Sequence, residues 1–223
     1  MNNFILVSLL LVGVAVADPW HVSLHTLVEG GGAWTNITEF VHDLSSTGFD
    51  EVTKSVCGHG VWLMYSNKDY ARSSWPFADS WTEEFVAPEY KCHSLPSTRH
   101  NQMSSVRYVG SGVFGDEVLT LYSGQEYTGG EDVFIRNDDN FGVFSNTTDS
   151  LIVVGESPWT VYSNNYYQGP SICLTPSPVY SSNGDIGLYY GSWEMAELSV
   201  PNNAIASIKK GCNSEKVFTY GRN

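Results

Sequence analysis

Among the residues that could carry out chemistry, only the cysteines form a regular set. The 223 residues include four of them, Cys57, Cys92, Cys173 and Cys212. An even number of cysteines in a secreted chain predicts disulfides, and the sequence alone allows three pairings. If the chain has two domains, the pairs Cys57–Cys92 and Cys173–Cys212 each stay within one domain. The alternative is that some of these cysteines are buried free thiols.

Three other patterns lack the partners that catalysis or cofactor binding requires. His21 and His25 would share one face of a strand, but no third ligand of matching spacing is nearby, so a surface or half-buried pair is favoured over a zinc site. Residues 110–115 match GxGxxG, but an acidic, strand-like segment follows where a nucleotide site needs a helix. The adjacent acids Glu83–Glu84 and Asp138–Asp139 would point to opposite faces of a strand. We assign no catalytic residue and expect no enzyme activity.

The N-terminus is typical of a secretory signal. Residues 4–16 are apolar and uncharged, and Ala15–Ala17 has the small-x-small form of a cleavage site. We predict that residues 1–17 are removed and that the protein is secreted to the extracellular space. Two sequons then predict exposed glycosylation sites at Asn36 and Asn146.

The composition indicates a folded acidic protein. The formal net charge is −13, which argues against nucleic acid and anionic membranes as partners. Charged residues make up only 16% of the chain, whereas 7 Trp, 13 Tyr and 10 Phe supply material for a core. No segment after the signal is apolar and long enough to span a membrane.

A motif with two tyrosines five residues apart occurs three times, at Tyr65–Tyr70, Tyr122–Tyr127 and Tyr162–Tyr167. Each copy of the motif follows a strand-like run, and a predicted strand that begins with serine comes after it in the sequence. Short runs rich in Val, Ile, Tyr, Trp and Thr, separated by turn residues, predict an all-β fold. A degraded first copy is predicted from the strand 21–24, the glycine run 30–32 and Ser55.

These copies divide the chain into four units of roughly 19–60, 61–110, 117–156 and 157–212. Short and long units alternate, so the larger repeat is a pair of units, which makes a domain of about a hundred residues. We therefore predict a signal peptide at 1–17, a first domain at 18–110, a linker at 111–116, a second domain at 117–212 and a tail at 213–223.

This pattern resembles the βγ-crystallin superfamily over essentially the whole mature chain, as a secreted two-domain member with four Greek-key units. In that family an aromatic hairpin opens each unit, a hairpin glycine takes an unusual backbone angle, and a serine near the last strand hydrogen-bonds back to the hairpin. The matching residues are Tyr65, Tyr70 and Ser105 in unit two, Tyr122, Tyr127, Gly129 and Ser150 in unit three, and Tyr162, Tyr167, Gly169 and Ser207 in unit four.

Units one and two depart from the family pattern. Unit one keeps little beyond Ser55, and unit two has Arg72 at the glycine place, which predicts a distorted hairpin. The resemblance still implies two β-sandwich domains, in which the tyrosines have a structural role.

Calcium is the ligand that the resemblance implies. Many members bind it through Asn/Asp-Asn/Asp-x-x-Ser/Thr-Ser just before each unit's last strand, and two such segments together form two sites. The corresponding segments here, 50–55, 100–105, 145–150 and 202–207, all depart from that pattern, so ordinary turns are favoured over metal sites. If calcium binds, we expect weak binding, best in the second domain. The candidate ligands are Asn202, Asn203, Ser207, Asn146, Asp149 and Ser150.

The resemblance implies a secreted, non-enzymatic structural or extracellular protein, with itself or matrix components as partners. The export signal separates it from the cytosolic lens proteins of the family. The alternative is a calcium-modulated binding module of a lectin-like, defence or inhibitor type. Its binding surface would be the aromatic residues Trp75, Phe77, Trp81 and Phe85 if they are exposed, but these residues could equally cover the core.

Overall fold

The chain folds almost entirely into β-strands. The computed structural model describes residues 19–72, 80–142, 146–198 and 204–221. The predicted signal peptide, Trp75, Phe77, Asn202 and Asn203 lie outside these residues. The described strands are β1 His21–His25, β2 Trp34–Ile37, β3 Ser55–Tyr65, β4 Thr82–Ser94, β5 Ser105–Tyr108, β6 Val118–Tyr122, β7 Glu131–Phe134, β8 Ser150–Val154, β9 Trp159–Asn164, β10 Gln168–Thr175, β11 Ser177–Tyr180, β12 Ile186–Glu194, β13 Ser207–Lys210 and β14 Val217–Thr219. Short 3₁₀ turns lie at Leu44–Thr47, Lys68–Tyr70, Ser97–Arg99 and Gln125–Tyr127.

Two long strands organise the first domain. The beginning of β3 pairs with β1, and its end pairs with β5, while β4 runs antiparallel along both parts. A register shift between Gly58 and Gly60 separates the two ends, which have the strand orders β2-β1-β3-β4 and β5-β3-β4. Apolar side chains at alternating positions of these strands, such as Val22, Leu24 and Phe85, fill the core.

The second domain has two separate sheets, with the strand orders β11-β12-β8-β6-β7 and β13-β9-β10-β14. The strand β12 comes from unit four but pairs with β8 of unit three, an exchange that is typical of paired Greek-key units. The first domain has the same exchange, since the end of β4 from unit two pairs with the beginning of β3 from unit one. Isolated bridges join Val41 to Val106 in the first domain and Asp138 to Ile208 in the second. The two domains therefore share one plan of strand exchange.

A buried serine at the start of each unit's last strand holds that unit's hairpin closed. The serine hydroxyl accepts a hydrogen bond from a hairpin N–H at 3.0 to 3.2 Å. It also donates a hydrogen bond, at 2.6 Å, to the carbonyl of the residue three positions before the one that supplies this N–H. We call these residues the hairpin serines. The serine with its N–H and carbonyl partners is Ser55 with Gly30 and Leu27, Ser105 with Tyr70 and Asn67, Ser150 with Tyr127 and Gly124, and Ser207 with Tyr167 and Asn164.

The hairpin backbone held by each serine is left-handed over two consecutive residues. In unit two these are Asp69 and Tyr70, at φ 57° and 54°, and the other tyrosine hairpins have nearly the same values. Non-glycine residues pay a conformational cost for such angles, so the serine bonds must offset it. The predicted distortion of the unit-two hairpin is not seen in its described part, because Ser105 makes the same two bonds despite Arg72. The hairpin glycines Gly129 and Gly169 have φ of 75° and 76°.

Unit one has the same hairpin in a different chemical form. The partner of Ser55 is Gly30, so Gly30 stands at the place of the second tyrosine, and His25 stands at the place of the first. A Cβ at Gly30 would lie 2.7 Å from the Cys57 sulfur, because the Cys57–Cys92 disulfide covers this position. The disulfide therefore occupies the space above the hairpin that a tyrosine ring fills in the other units.

The hairpins of units two and three meet across the boundary between the domains. Tyr65 donates its hydroxyl proton to the Tyr127 carbonyl at 2.6 Å, and the Gly129 N–H donates to the Tyr70 carbonyl at 3.0 Å. Arg72, at the glycine place, reaches the side chain of Gln125 in the facing hairpin at 3.0 Å. The two aromatic hairpins are thus each other's main polar contact.

A buried arginine lies at the centre of this contact. Arg107 is 1% exposed, and its guanidinium donates to the Tyr65 hydroxyl, the Tyr127 carbonyl and the Gly129 carbonyl at 2.6 to 3.1 Å. Its charge lies 3.3 Å from a carboxylate oxygen of Glu131. Three tyrosine rings surround the guanidinium at 4.5 to 5.3 Å, from Tyr65, Tyr70 and Tyr122. We call this set the Arg107 network.

A second polar contact between the domains is centred on Glu84 of β4. Its carboxylate accepts hydrogen bonds from the hydroxyls of Tyr190 and Ser192, both on β12 of the second domain. Burial raises the pKa of Glu84, and the bonds from these hydroxyls oppose that effect. Nearby, the Ser182 N–H donates to Glu89 at 2.7 Å. The long unit four therefore supplies both contacts to β4.

We predict that Ser207→Ala lowers the free energy of unfolding by about 1–3 kcal/mol, because the hairpin N–H and carbonyl lose their buried partner. Urea unfolding followed by tryptophan fluorescence measures this change. Ser182→Ala, at an exposed turn residue, serves as the control and should unfold like the wild type. Equal midpoints for Ser207→Ala and the wild type would contradict the role of the serine.

We predict that Arg107→Met lowers the free energy of unfolding by about 3–5 kcal/mol, because Glu131 is left buried without its partner. Adding Glu131→Gln to Arg107→Met should recover part of that loss, since the uncompensated charge is removed. Chemical denaturation of the two single variants and the double variant gives the coupling energy. Arg136→Met, at an exposed arginine, is the control. Strictly additive effects would show that the two charges do not interact.

The Glu131 carboxyl should make stability depend on pH. Burial raises the pKa of Glu131 from 4.5 to about 7, while Arg107 opposes this shift and Asp132 adds to it. A raised folded-state pKa gives stability that is present below pH 4.5 and is lost as the pH rises through about 7. Relative to Glu131→Gln, the wild type should thus lose stability, by up to roughly 3 kcal/mol, between these values. Urea unfolding of both proteins at several pH values tests this, and a constant difference between them would refute it.

Candidate functional site

The segments that precede the last strands lie side by side in pairs, as a shared ion site would require. In the first domain the Glu51 N–H donates to the Met103 carbonyl, and the Asn101 N–H donates to the Thr53 carbonyl, both at 3.0 Å. In the second domain the Asn146 N–H donates to the Ile205 carbonyl at 2.8 Å. The second residue of each described segment is left-handed, with φ of 54° to 60° at Glu51, Asn101 and Asn146. The backbone frame is therefore common to the segments, and their side chains differ.

In the first domain the acidic residue of the segment 50–55 that could bind a metal ion, Asp50, already lies beside a lysine side chain. An Asp50 carboxylate oxygen accepts a hydrogen bond from the Ser45 hydroxyl and lies 3.7 Å from the Lys68 ammonium. The fifth place of the same segment is a second lysine, Lys54. Two ammonium groups at or near these positions oppose a bound divalent cation.

In the second domain the fifth place is Asp149, and among the described residues no ion pair is formed by its carboxylate. Within the described residues its Oδ1 is buried without a hydrogen bond, and so is the hydroxyl oxygen of the neighbouring Thr148. Burial raises the pKa of Asp149, as expected for a carboxylate that lacks a compensating charge. Unsatisfied buried oxygen atoms at two successive residues are of the type that a hard cation such as calcium prefers.

The other predicted calcium ligands fall into three groups. The hydroxyls of Ser150 and Ser207 are fully buried and each already makes both hairpin bonds, which marks these residues as structural. Asn146 is exposed and lies at the rim of the segment. Asn202 and Asn203 lie outside the described residues.

All four cysteines form disulfides. The bonds are Cys57–Cys92 in the first domain and Cys173–Cys212 in the second, the pairing expected for a two-domain chain. Cys57 and Cys92 are directly opposite each other on β3 and β4. Both sequon asparagines, Asn36 and Asn146, have exposed side chains.

The histidines are arranged differently from what the sequence spacing suggested. His21 and His25 both lie on β1, but they have separate partners. The His21 ring lies 2.7 Å from the ring of His59 on β3, whereas His25 contacts the Ser23 hydroxyl at 2.9 Å. Among the described residues no three His, Cys, Asp or Glu side chains come together as a metal cluster.

The remaining sequence patterns have structural environments. Strand β6 follows residues 110–115, so the glycine-rich motif is not followed by a helix. Glu84 faces the second domain, whereas Glu83 contacts His93 and Arg99. Asp138 bridges to Ile208, and the Asp139 carbonyl accepts from the Tyr166 N–H, so this pair serves the unit-four hairpin.

The aromatic residues that could form a binding surface are partly in the core. Phe85 is 2% exposed and belongs to the core of the first domain. Trp81 is half-buried, donates its ring N–H to Gln102 and lies beneath the Arg99 guanidinium at 5.2 Å. Trp75 and Phe77 lie outside the described residues. The two described residues thus favour core packing over an exposed aromatic surface.

The Arg107 network and the His21–His59 pair were not predicted from the sequence. Arg107 lies two residues after a hairpin serine, so it shares the buried face of its strand. A charged residue at that inward position was the available signal. For His59 the chain offers no local signal, because its contact with His21 arises from pairing between β1 and β3. Within the described part of the chain, no helix has the length and apolar character needed to cross a membrane.

Comparison with known proteins supports the fold. No family model matches the sequence, and no curated protein matches it significantly. Among solved structures, Geodin, a βγ-crystallin from Geodia cydonium, is 20% identical with a TM-score of 0.60, and the match covers 86% of this chain and 99% of Geodin. A βγ-crystallin from Ciona intestinalis is 20% identical over 40% of this chain and 98% of its own, with a TM-score of 0.31. Protein S complexed with calcium is 15% identical over 85% of this chain and 98% of its own, with a TM-score of 0.32.

The likeness to Geodin spans both domains, and it agrees with the exchanged strands and the hairpin serines described above. The resemblance predicted from the tyrosine hairpins is therefore confirmed at the level of the fold. The chain is an all-β protein with two Greek-key domains of the βγ-crystallin fold.

Proposed function

We propose that this protein is a secreted, non-enzymatic structural component of an extracellular space. The observation that carries the proposal is the Arg107 network, which joins the two domains through buried hydrogen bonds and a buried ion pair. A protein whose buried charges serve to hold its domains together is suited to a mechanical task. The two disulfides support an oxidising location, where such bonds persist.

The surface charge supports a role at high concentration or within a matrix. A net charge of −13 favours solubility at high concentration and attracts cations. Copies of the protein itself or matrix components are the partners that we propose. The predicted signal at residues 1–17 and the exposed asparagines of both sequons support a chain that passes through the secretory route.

We further propose weak calcium binding in the second domain. Asp149 would supply a carboxylate oxygen and Thr148 a hydroxyl oxygen, while Asn146 stands at the rim. Calcium would neutralise the buried carboxylate there. In the first domain Lys68 already faces Asp50, so we assign no calcium to that domain.

We predict that calcium binds the secreted protein with a dissociation constant of about 0.1–1 mM, the range of extracellular modules. Isothermal titration should give heat with the wild type and none with Asp149→Ala. Calcium at about ten times that constant should also raise the unfolding free energy by about 1.4 kcal/mol. Asp185→Asn, in an exposed turn of the same domain, is the matched control and should bind like the wild type. An Asp149→Ala variant that still binds calcium would refute this site.

The structural role is tested separately by location and rigidity. The full chain, expressed in a eukaryotic secretory host, should appear in the medium with its N-terminus at Asp18. Protease digestion of the native protein should leave the two domains together, whereas Arg107→Met should expose the linker at 111–116 to cleavage. Retention of the chain inside the cell would contradict the proposed extracellular role, whatever the calcium result.

A further inference from the structure

We propose that His21 and His59 form a binding site for a divalent transition metal ion, with Cu²⁺ preferred over Zn²⁺. The two side chains come from directly paired positions of β1 and β3, so the sheet holds them next to each other. His21 Nδ1 and His59 Nε2 are 2.7 Å apart, and the rings are nearly perpendicular, at 83°. The two ring nitrogens therefore face each other across a short gap.

The spacing of these nitrogens is close to what a shared metal ion requires. In zinc proteins each histidine nitrogen is about 2.0–2.1 Å from the metal, which at a tetrahedral angle puts two nitrogens about 3.3 Å apart. The two rings thus need to separate by only about 0.6 Å to admit a metal ion at that geometry. On binding, the proton between the rings moves through solvent to an outer ring nitrogen, and both facing lone pairs bind the metal.

The surroundings fix the rings and leave an approach from solvent. The His59 ring is 6% exposed and stacks on Phe114 with ring centres 5.1 Å apart and planes 2° from parallel. The pair opens into a surface cavity of about 480 Å³ that is also lined by Pro88, Glu89 and Tyr90. Waters in this cavity can complete the coordination of a metal ion held by two protein ligands.

The local backbone makes room for this site. Opposite His59 the strand β4 bulges, because Gly58 pairs with Lys91 whereas Gly60 pairs with Ala87. The bulge carries Glu89 to the cavity, where the Ser182 N–H of the second domain holds its carboxylate at 2.7 Å. A carboxylate at the cavity wall and the acidic protein as a whole both attract a cation.

The chemistry of the ligands selects the class of metal. Imidazole nitrogen suits copper, nickel and zinc, whereas calcium and magnesium prefer oxygen. For a site with so few protein ligands, the order of stability among divalent ions places Cu²⁺ above Zn²⁺. This site is therefore independent of the calcium proposed at Asp149.

The test uses the untagged, metal-free protein purified from the medium and titrated with CuCl₂ and with ZnCl₂. We expect one ion per chain and, for Cu²⁺, an electron paramagnetic resonance spectrum with coupling to imidazole nitrogen. His21→Gln and His59→Gln should each weaken binding by about tenfold or more, since each removes one of two ligands.

The controls separate this site from the alternatives. His42→Gln removes an exposed histidine, and His25→Gln removes the other histidine of β1, so both should bind like the wild type. A metal held by the N-terminal amine and His21 alone would survive His59→Gln, which would overturn the proposal. If His59→Gln does not fold, as judged by its melting curve, the more accessible His21→Gln decides the result. Unchanged affinity in His21→Gln, or displacement of Cu²⁺ by excess calcium, would also overturn it.

Discussion

The double hydrogen bond of the hairpin serines is the constraint on which the rest of the structure depends. Each hairpin places two successive residues in the left-handed region of backbone conformation, which costs free energy for every residue type except glycine. A buried hydroxyl can offset that cost because it donates and accepts at once, closing the hairpin on the next strand. Four serines do this with nearly equal distances. The strand, the hairpin and the sheet edge of each unit are thereby fixed together.

The residue two places after the hairpin serine lies over the hairpin ring in units two and four, and the chemical type of this residue differs between the units. In unit two it is Arg107, over the Tyr70 ring, and in unit four it is Lys209, over the Tyr167 ring at 5.8 Å. In unit three it is Ile152, a fully buried residue in the core shared by the domains. Among these three residues, Arg107 is the one that hydrogen-bonds to the facing hairpin. The interface between the domains is therefore an extension of the packing within one unit.

The fold could be predicted from the sequence because its determinants are local. The tyrosine spacing, the hairpin glycines and the serines each report on a few neighbouring residues, and the structure retains them. The site was less predictable, since it depends on contacts between distant strands. The pairing of His21 with His59 has no local signature. Arg107 stands at an inward position of its strand, but nothing near it in the sequence indicates that its partner is Glu131. The glycine run 30–32 and Ser55 did predict a degraded first copy, but without tyrosines the places of His25 and Gly30 in its hairpin were not recognisable.

The hairpin of the first unit is covered by a disulfide, whereas the hairpins of the other units are covered by a tyrosine ring. A tyrosine at position 30 would collide with the disulfide, because even its Cβ would stand 2.7 Å from the Cys57 sulfur. Glycine at position 30 and the disulfide together therefore replace the tyrosine, because the disulfide fits only where there is no side chain. Without the Cys57–Cys92 disulfide, neither an aromatic ring nor a sulfur bridge would cover the hairpin at Gly30. The backbone at Gly30 is also left-handed. The closed form of unit one is thus tied to an oxidising environment, whereas the tyrosine hairpins of the other units close through side chains that need no oxidant.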